Sequence, residues 1–383
     1  MRPHPVQVGI IGSGFGSRVT LPCFSVAEGM NVLALASRTP EKMKKIAEQY
    51  KVKYLFSSLE QMLNCPEIDL VCIEVPPFLH SRMVGQALQA GKHILCEKPM
   101  ALNVEEARQI FQLSQGSGTM AVINHQMRFH PNCQKIKKLL GNSIVGNLRY
   151  VQLAYFTAVR CDPSLPWDWW SDEKAGGGQL LALGSHFVDL LRWWFGEIRS
   201  VQGHLATFTR ERMDPSTHKM RAVTSDEYVS MDLEFCSGLT AVIVTSCVDP
   251  DEPALDMRIT GSEGSLVLRG FEKLFLVKDG CSHDLSEPDS LRKEPVVGLN
   301  PWRTSLVRLA EHLVECIQSQ RFVHTPYRDG STFWDGVRIQ EVLEAVKISH
   351  QTQRRVGISQ RDDSPGSSVT DEVRLSLGVP DEQ

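Results

Sequence analysis

The chain has 383 residues, 42% hydrophobic and 22% charged, with a net charge of −4 and its basic residues dispersed. That length exceeds one ordinary core and implies two domains. Scattered charge argues against a nucleic-acid surface, no apolar run reaches membrane-crossing length, and the start MRPHPVQVGIIGSG lacks the apolar core of a signal peptide, so the sequence reads as cytoplasmic.

VQVGIIG is a short apolar run ending in glycine, and the segment around RVTLPCFS follows it. NVLALAS is a second apolar run, then PEKMKKIAEQYKV has helical period. IDLVCIEV, the helical HSRMVGQALQAG, HILCEKP, the helical NVEEARQIFQLSQ and TMAVIN continue the alternation to about residue 123. Short strands alternating with helices predict βαβ units and a doubly wound parallel sheet. From about 148 the pattern changes to period-2 runs: LRYVQLAYFTAV, SVQGHLATFTR, EYVSMDLEF, LTAVIVTSCV, LDMRITG and SLVLRG. These predict a mostly antiparallel sheet carrying the helix after the glycines Gly176-Gly177-Gly178 on one face. Two amphipathic helices follow, TSLVRLAEHLVECIQSQ and DGVRIQEVLEAVKISHQTQ, and then a polar, aperiodic stretch. The expected division is 1–123, 124–356 and a disordered tail over 357–383. Ten cysteines without CxxC or zinc spacing read as buried free thiols, and no metal is expected.

GSGFGS, Gly12 to Ser17, directly follows the first strand. A dinucleotide fingerprint belongs there: Gly12 for the tight turn, Gly14 for close approach of a pyrophosphate, and a small third residue for helix–strand packing. Ser17 stands at that third place, with Gly16 just before it. The end of the second strand carries no acid to bond a ribose hydroxyl; it has Ser37-Arg38-Thr39. An arginine flanked by two hydroxyls suits a 2′-phosphate, so NADP is favoured with NAD as the alternative. Glu97-Lys98-Pro99 ends another parallel strand, where side chains reach the cofactor crevice.

With AGKHILCEKP, GIIGSGFGSR, IEVPPFLHSRMV, INHQMRFHP, GGGQLLALGSHFVDLL and GSEGSLVL, the chain resembles the glucose–fructose oxidoreductase, inositol dehydrogenase and MocA family over nearly its whole length. TFTRE and VTSDEYVSM resemble the glucose–fructose oxidoreductase domain-containing proteins in particular. The resemblance implies a Rossmann domain followed by an α+β domain with a mostly antiparallel sheet. It implies hydride transfer between a nicotinamide and the hydroxyl or carbonyl of a sugar or cyclic polyol. It further implies a homodimer or homotetramer formed through the outer face of the second sheet, and its animal branch raises secretion as the alternative location.

Carried over by residue, Lys98 hydrogen-bonds the reacting oxygen and His186 is the catalytic histidine. Phe15 and Glu97 join the cofactor residues, with Pro76 and His80 at the nicotinamide end. Arg128 is either a cleft contact or a hinge-packing arginine; Trp167 is either a sugar-stacking wall or ordinary packing, and Trp169 and Trp170 share that choice. One departure stands out. The family's aspartate four residues before the histidine falls on Ala182. Asp189 reads as structural, and Asp168, Asp172 and Glu173 are candidate replacements from the preceding loop. The alternative function is therefore a cofactor-binding protein with impaired catalysis and a sensor or interaction role.

Overall fold

A computed structural model describes residues 4–251, 254–294, 298, 300–320 and 329–360. Six strands build the first sheet in parallel: β1 (Val6–Ile11), β2 (Met30–Ala36), β3 (Tyr54–Phe56), β4 (Leu70–Ile73), β5 (His93–Cys96) and β6 (Ala121–Ile123). Their order, β6-β5-β4-β1-β2-β3, reverses direction between β4 and β1. A ligand crevice opens outside the carboxyl ends of the strands at such a point. Continuous apolar runs suit these strands because helices cover both faces, which leaves Val8, Ile10, Leu35, Leu70 and Cys72 buried.

The second sheet holds β7 (Leu148–Phe156), β8 (Ile198–Ala206), β11 (Tyr228–Phe235), β12 (Thr240–Ser246), β13 (Ala254–Gly261), β14 (Ser265–Arg269), β15 (Lys273–Lys278) and β16 (Cys281–Asp284). A hairpin of β9 (Glu211–Asp214) and β10 (Lys219–Ala222) stands apart as its own two-stranded sheet. The large sheet is antiparallel except where β7 pairs with β12. Alternate residues such as Val151, Leu153, Met231, Leu233 and Met257 point to one face, where the helix Ser185–Phe195 and the helix Phe333–Thr352 cover them.

Two pieces of the expected 124–356 domain return to the first one. The helix Pro301–Ser319 buries Leu306, Leu309, Ala310 and Leu313 in the same cluster as Val6, Val8, Ile10 and Leu35. The two-residue strand β17 (Ser331–Thr332) adds an antiparallel edge to β6. The expected tail needs correction where it is described: β18 (Val356–Gly357) pairs with β8, Ile358 is buried, and Gln360 donates to the Ile198 carbonyl. Residues 361–383 lie outside the described residues.

Local chemistry fixes the helix that enters from β6. His130 caps Pro131–Gly141 by accepting the Asn132 N–H at 3.3 Å, and Pro131 occupies the first turn, where its missing N–H costs nothing. Burial pushes the His130 imidazole down to about 4. The folded state therefore refuses a proton that the unfolded chain accepts near pH 6.5, and this histidine withdraws stability as pH falls from 6.5 to 4. His130→Asn keeps a capping side chain without the titration. Its stability relative to the parent, from urea unfolding, is expected to rise by about 3 kcal/mol between pH 7 and 4.

Candidate active site

The loop after β1 lies against the end of β4. A Cβ on Gly12, whose φ is +134°, would sit 2.0 Å from the Glu74 carbonyl oxygen, so only glycine fits. Gly14 faces open space, as a backbone meant to be approached by a ligand must. Gly16 does the packing that the fingerprint assigns to its last residue: a Cβ there would lie 2.9 Å from Ile10 and 3.0 Å from Glu74. Ser17, at the expected third position, instead turns its hydroxyl onto the Ser13 carbonyl at 2.8 Å. The chain then enters a π-helical turn, Gly16–Thr20, and Phe15 stands exposed at the loop tip.

At the end of β2, Ser37 is buried and accepts the Thr39 N–H at 3.2 Å, which shapes the turn. Arg38 and Thr39 are exposed beside it. Glu97, at the end of β5, is buried and accepts from Asn124 Nδ2 at 2.5 Å. Glu74 is buried next to it and accepts from the Thr20 hydroxyl at 3.0 Å. Burial, and then the Glu97 charge, pushes the Glu74 carboxyl well above its usual range. Nothing local marks Glu74 as the second acid of this pair, because a glutamate after an apolar strand reads as a surface residue.

The Lys98–Pro99 peptide is cis. Lys98 is half-buried, and its ammonium crosses to the second domain to donate to the Ala182 carbonyl at 3.0 Å. That carbonyl belongs to a π-helical turn, Leu180–Gly184, which leads into the helix Ser185–Phe195. Such turns occur often at functional sites because their looser ladder leaves backbone groups available. At this position, where the resemblance leads one to expect a carboxylate, the chain offers Lys98 a backbone oxygen.

His186 lies one turn beyond Ala182 and is buried. Trp302 closes one side of it, with ring centroids 4.9 Å apart. Asn300 caps the helix Pro301–Ser319 by accepting the Trp302 N–H, and so places that indole in the first turn. His125 closes another side at 5.4 Å, with its ring nearly perpendicular. Burial, Lys98 and His125 hold the His186 imidazole well below its usual range, so it is neutral at pH 7.

Other expected site residues turn out to be engaged elsewhere. His80 is fully buried, with Nδ1 2.9 Å from the Pro99 carbonyl and Nε2 2.8 Å from the Val75 carbonyl. It ties the Pro76 loop to the cis proline, with both ring nitrogens engaged by backbone carbonyls. Arg128 is the hinge-packing arginine of the two alternatives. It is buried, grips Asp189 through two bonds of 2.8 and 2.6 Å, and donates to the Gly330 carbonyl. Trp167 donates to the Ala222 carbonyl, and the Arg221 guanidinium lies 3.4 Å over its ring, so that face is taken. The loop acids are taken too: Asp168 by Arg160, Asp172 by the Lys174 N–H and Glu173 by Lys347. Among the described residues there is no group of His, Cys, Asp or Glu arranged to hold a metal.

Residues 6–125 match the family model described as "Oxidoreductase family, NAD-binding Rossmann fold", and residues 133–267 match "GFO/IDH/MocA C-terminal domain". An uncharacterized oxidoreductase of Synechocystis is 30% identical over 93% of this chain and 97% of its own length. Human glucose-fructose oxidoreductase domain-containing protein 2 is 28% identical over 90% of this chain and 91% of its own. Among solved structures, a levoglucosan dehydrogenase in complex with NADH and L-sorbose superimposes with a TM-score of 0.82 at 21% identity, covering 94% of this chain and all of that one.

Proposed function

The chain belongs to the GFO/IDH/MocA family of NAD-binding oxidoreductases, and on that footing we propose that it moves hydride between a nicotinamide and a hydroxyl or carbonyl carbon of a sugar or cyclic polyol. The observation that carries this reading is that Lys98, at the end of β5, donates to the turn Leu180–Gly184, which leads directly into the helix of His186, and its charge reaches that imidazole. The residues fit the cofactor. The loop Gly12, Gly14, Phe15 and Gly16, open at Gly14, would hold the pyrophosphate; Ser37, Arg38 and Thr39 would meet the adenosine ribose, and Pro76, His80, Glu97 and Lys98 would serve the nicotinamide end. When bound, the nicotinamide takes or gives the hydride. Lys98 directs its ammonium at the reacting oxygen and stabilises alkoxide character as the proton leaves. Neutral His186 has a lone pair available to receive that proton.

NADP is the favoured form on Arg38, whose charge suits a 2′-phosphate. Replacing Arg38 with alanine is expected to weaken NADPH binding by about tenfold to a hundredfold and to leave NADH nearly untouched. Fluorescence titration of both cofactors measures this, and equal losses for the two would refute the preference.

The second reading rests on Ala182: among the described residues, no carboxylate takes the missing one's place in contact with His186. A protein so altered holds its cofactor and acts as a sensor or interaction partner. Single-turnover decay of NAD(P)H fluorescence, with carbonyl sugars and cyclic ketones added singly, separates the two. Decay with any of them supports the enzyme, and tight binding without decay across the panel supports the second reading.

A further inference from the structure

Two nitrogens beside the reaction centre are sealed from solvent without a hydrogen-bond partner among the described residues: His186 Nδ1 and His125 Nε2. They sit on adjacent rings whose centroids are 5.4 Å apart. Sealed polar atoms are normally satisfied, and two orphans on touching rings call for one explanation.

The tautomer of His125 follows from its other side. Asp189 Oδ1 accepts from Arg128 at 2.6 Å and from the Ser331 hydroxyl at 2.9 Å. The Ser331 proton is thus committed to Asp189, and its oxygen accepts from His125 Nδ1–H at 2.9 Å, with Asp189 itself 3.4 Å from that nitrogen. His125 Nε2 is then bare and can only accept. A proton on the unpartnered Nδ1 of the adjacent His186 ring would give it a donor and leave His186 Nε2 bare for substrate. Small ring rotations or one bridging water complete the link, as catalytic hydrogen bonds commonly tighten once a site is loaded.

We infer that His125, held by Ser331 and Asp189, is the positioning residue for His186 and substitutes for the carboxylate that Ala182 lacks. The role rests on the reading of this cleft as a dehydrogenase site. During oxidation the hydroxyl proton passes to His186 Nε2, while His186 Nδ1–H stays on His125 and no proton leaves the pair. In hydrolase triads a carboxylate bonds the catalytic imidazole directly and fixes its tautomer; here Asp189 acts at one remove, through Ser331 and His125. The topology explains why the sequence conceals it: Ser331 reaches His125 only because β17 pairs with β6, Ser331 opposite Ile123.

The test uses the full chain and the variants His125→Asn and Ser331→Ala, the second keeping His125 in place should the first fold poorly. Single-turnover hydride transfer is expected to slow by about tenfold to a hundredfold in His125→Asn and by less in Ser331→Ala, with cofactor affinity unchanged. Adding Ala182→Asp to His125→Asn is expected to restore most of the rate, while Ala182→Asp alone gains little. Nitrogen-15 spectra of the imidazoles provide a readout that needs no turnover. Parent His186 is expected to carry its proton on Nδ1, and that preference is lost in both variants. If His186 keeps its tautomer in both variants, or if an active parent loses no rate, the inference is overturned. A parent that transfers no hydride to any substrate of the panel refutes the dehydrogenase reading, and the imidazole spectra then decide the His125–His186 link alone.

Discussion

Lys98→Met is expected to lower the single-turnover rate of hydride transfer by about 10²–10⁴, the range for losing a group that handles charge or protons at the reacting oxygen. At 25 °C this corresponds to about 3–5 kcal/mol of lost transition-state stabilisation. Methionine keeps the length and the apolar stem, so the experiment isolates the ammonium. The substitution also frees the Ala182 carbonyl, which accepts from Lys98 Nζ at 3.0 Å. That residue is half-buried, so solvent can take over part of the lost bond and the stability cost is expected to stay near 1 kcal/mol. The two effects are therefore separable. Thermal unfolding registers the small one, and stopped-flow fluorescence well below the unfolding temperature registers the large one. Lys98→Arg is expected to rescue little, because a planar fork cannot occupy the place of a compact ammonium between β5 and the Leu180–Gly184 turn. A rate within threefold of the parent would remove Lys98 from the reaction centre and shift the burden to His186.

The parallel sheet was legible because its strands are continuous apolar runs separated by helical period, and the antiparallel sheet because its buried and exposed residues alternate. Gly12, Gly14 and Lys98 were legible as well, since each stands at a strand end in a pattern whose geometry is nearly forced. The roles that stayed open share one physical cause. His80, Arg128 and Trp167 are polar or amphipathic residues in cleft-lining segments, and their directions depend on partners far along the chain: the Pro99 carbonyl, Asp189 and Arg221. Gly16 in place of Ser17 reflects the π-helical turn, which shifts the packing position by one residue. His125, Trp302 and Glu74 were missed because nothing local marks them. His125 gains meaning only through a two-residue strand more than 200 positions away, and Trp302 through a helix that crosses from one domain to the other.

Asp189→Asn is expected to destabilise the protein by about 3–5 kcal/mol, the penalty for breaking a buried ion pair by removing one charge. Asp189 and Arg128 are both buried, joined by two hydrogen bonds, and Ser331 adds a third to the same carboxylate. Without the charge on Asp189, Arg128 would lean on Asp335, 3.5 Å away, but that carboxylate already serves Arg192 at 3.2 Å. The flanking Arg128 and Arg192 hold Asp335 well below the usual carboxylate range, so it stays charged at neutral pH and offsets only part of the loss. Urea unfolding at pH 7 measures the change. The double variant Arg128→Met with Asp189→Leu tests the cause: removing both charges leaves neither stranded, and its stability is expected to recover to within about 2 kcal/mol of the parent. If the double variant is as unstable as Asp189→Asn, packing around Trp193 and Gly330 dominates and the pair itself contributes little. If it recovers in stability but the His186 tautomer preference is lost, Asp189 serves the imidazole relay rather than the fold, because the leucine removes the acceptor that sets the proton order from Ser331 to His125.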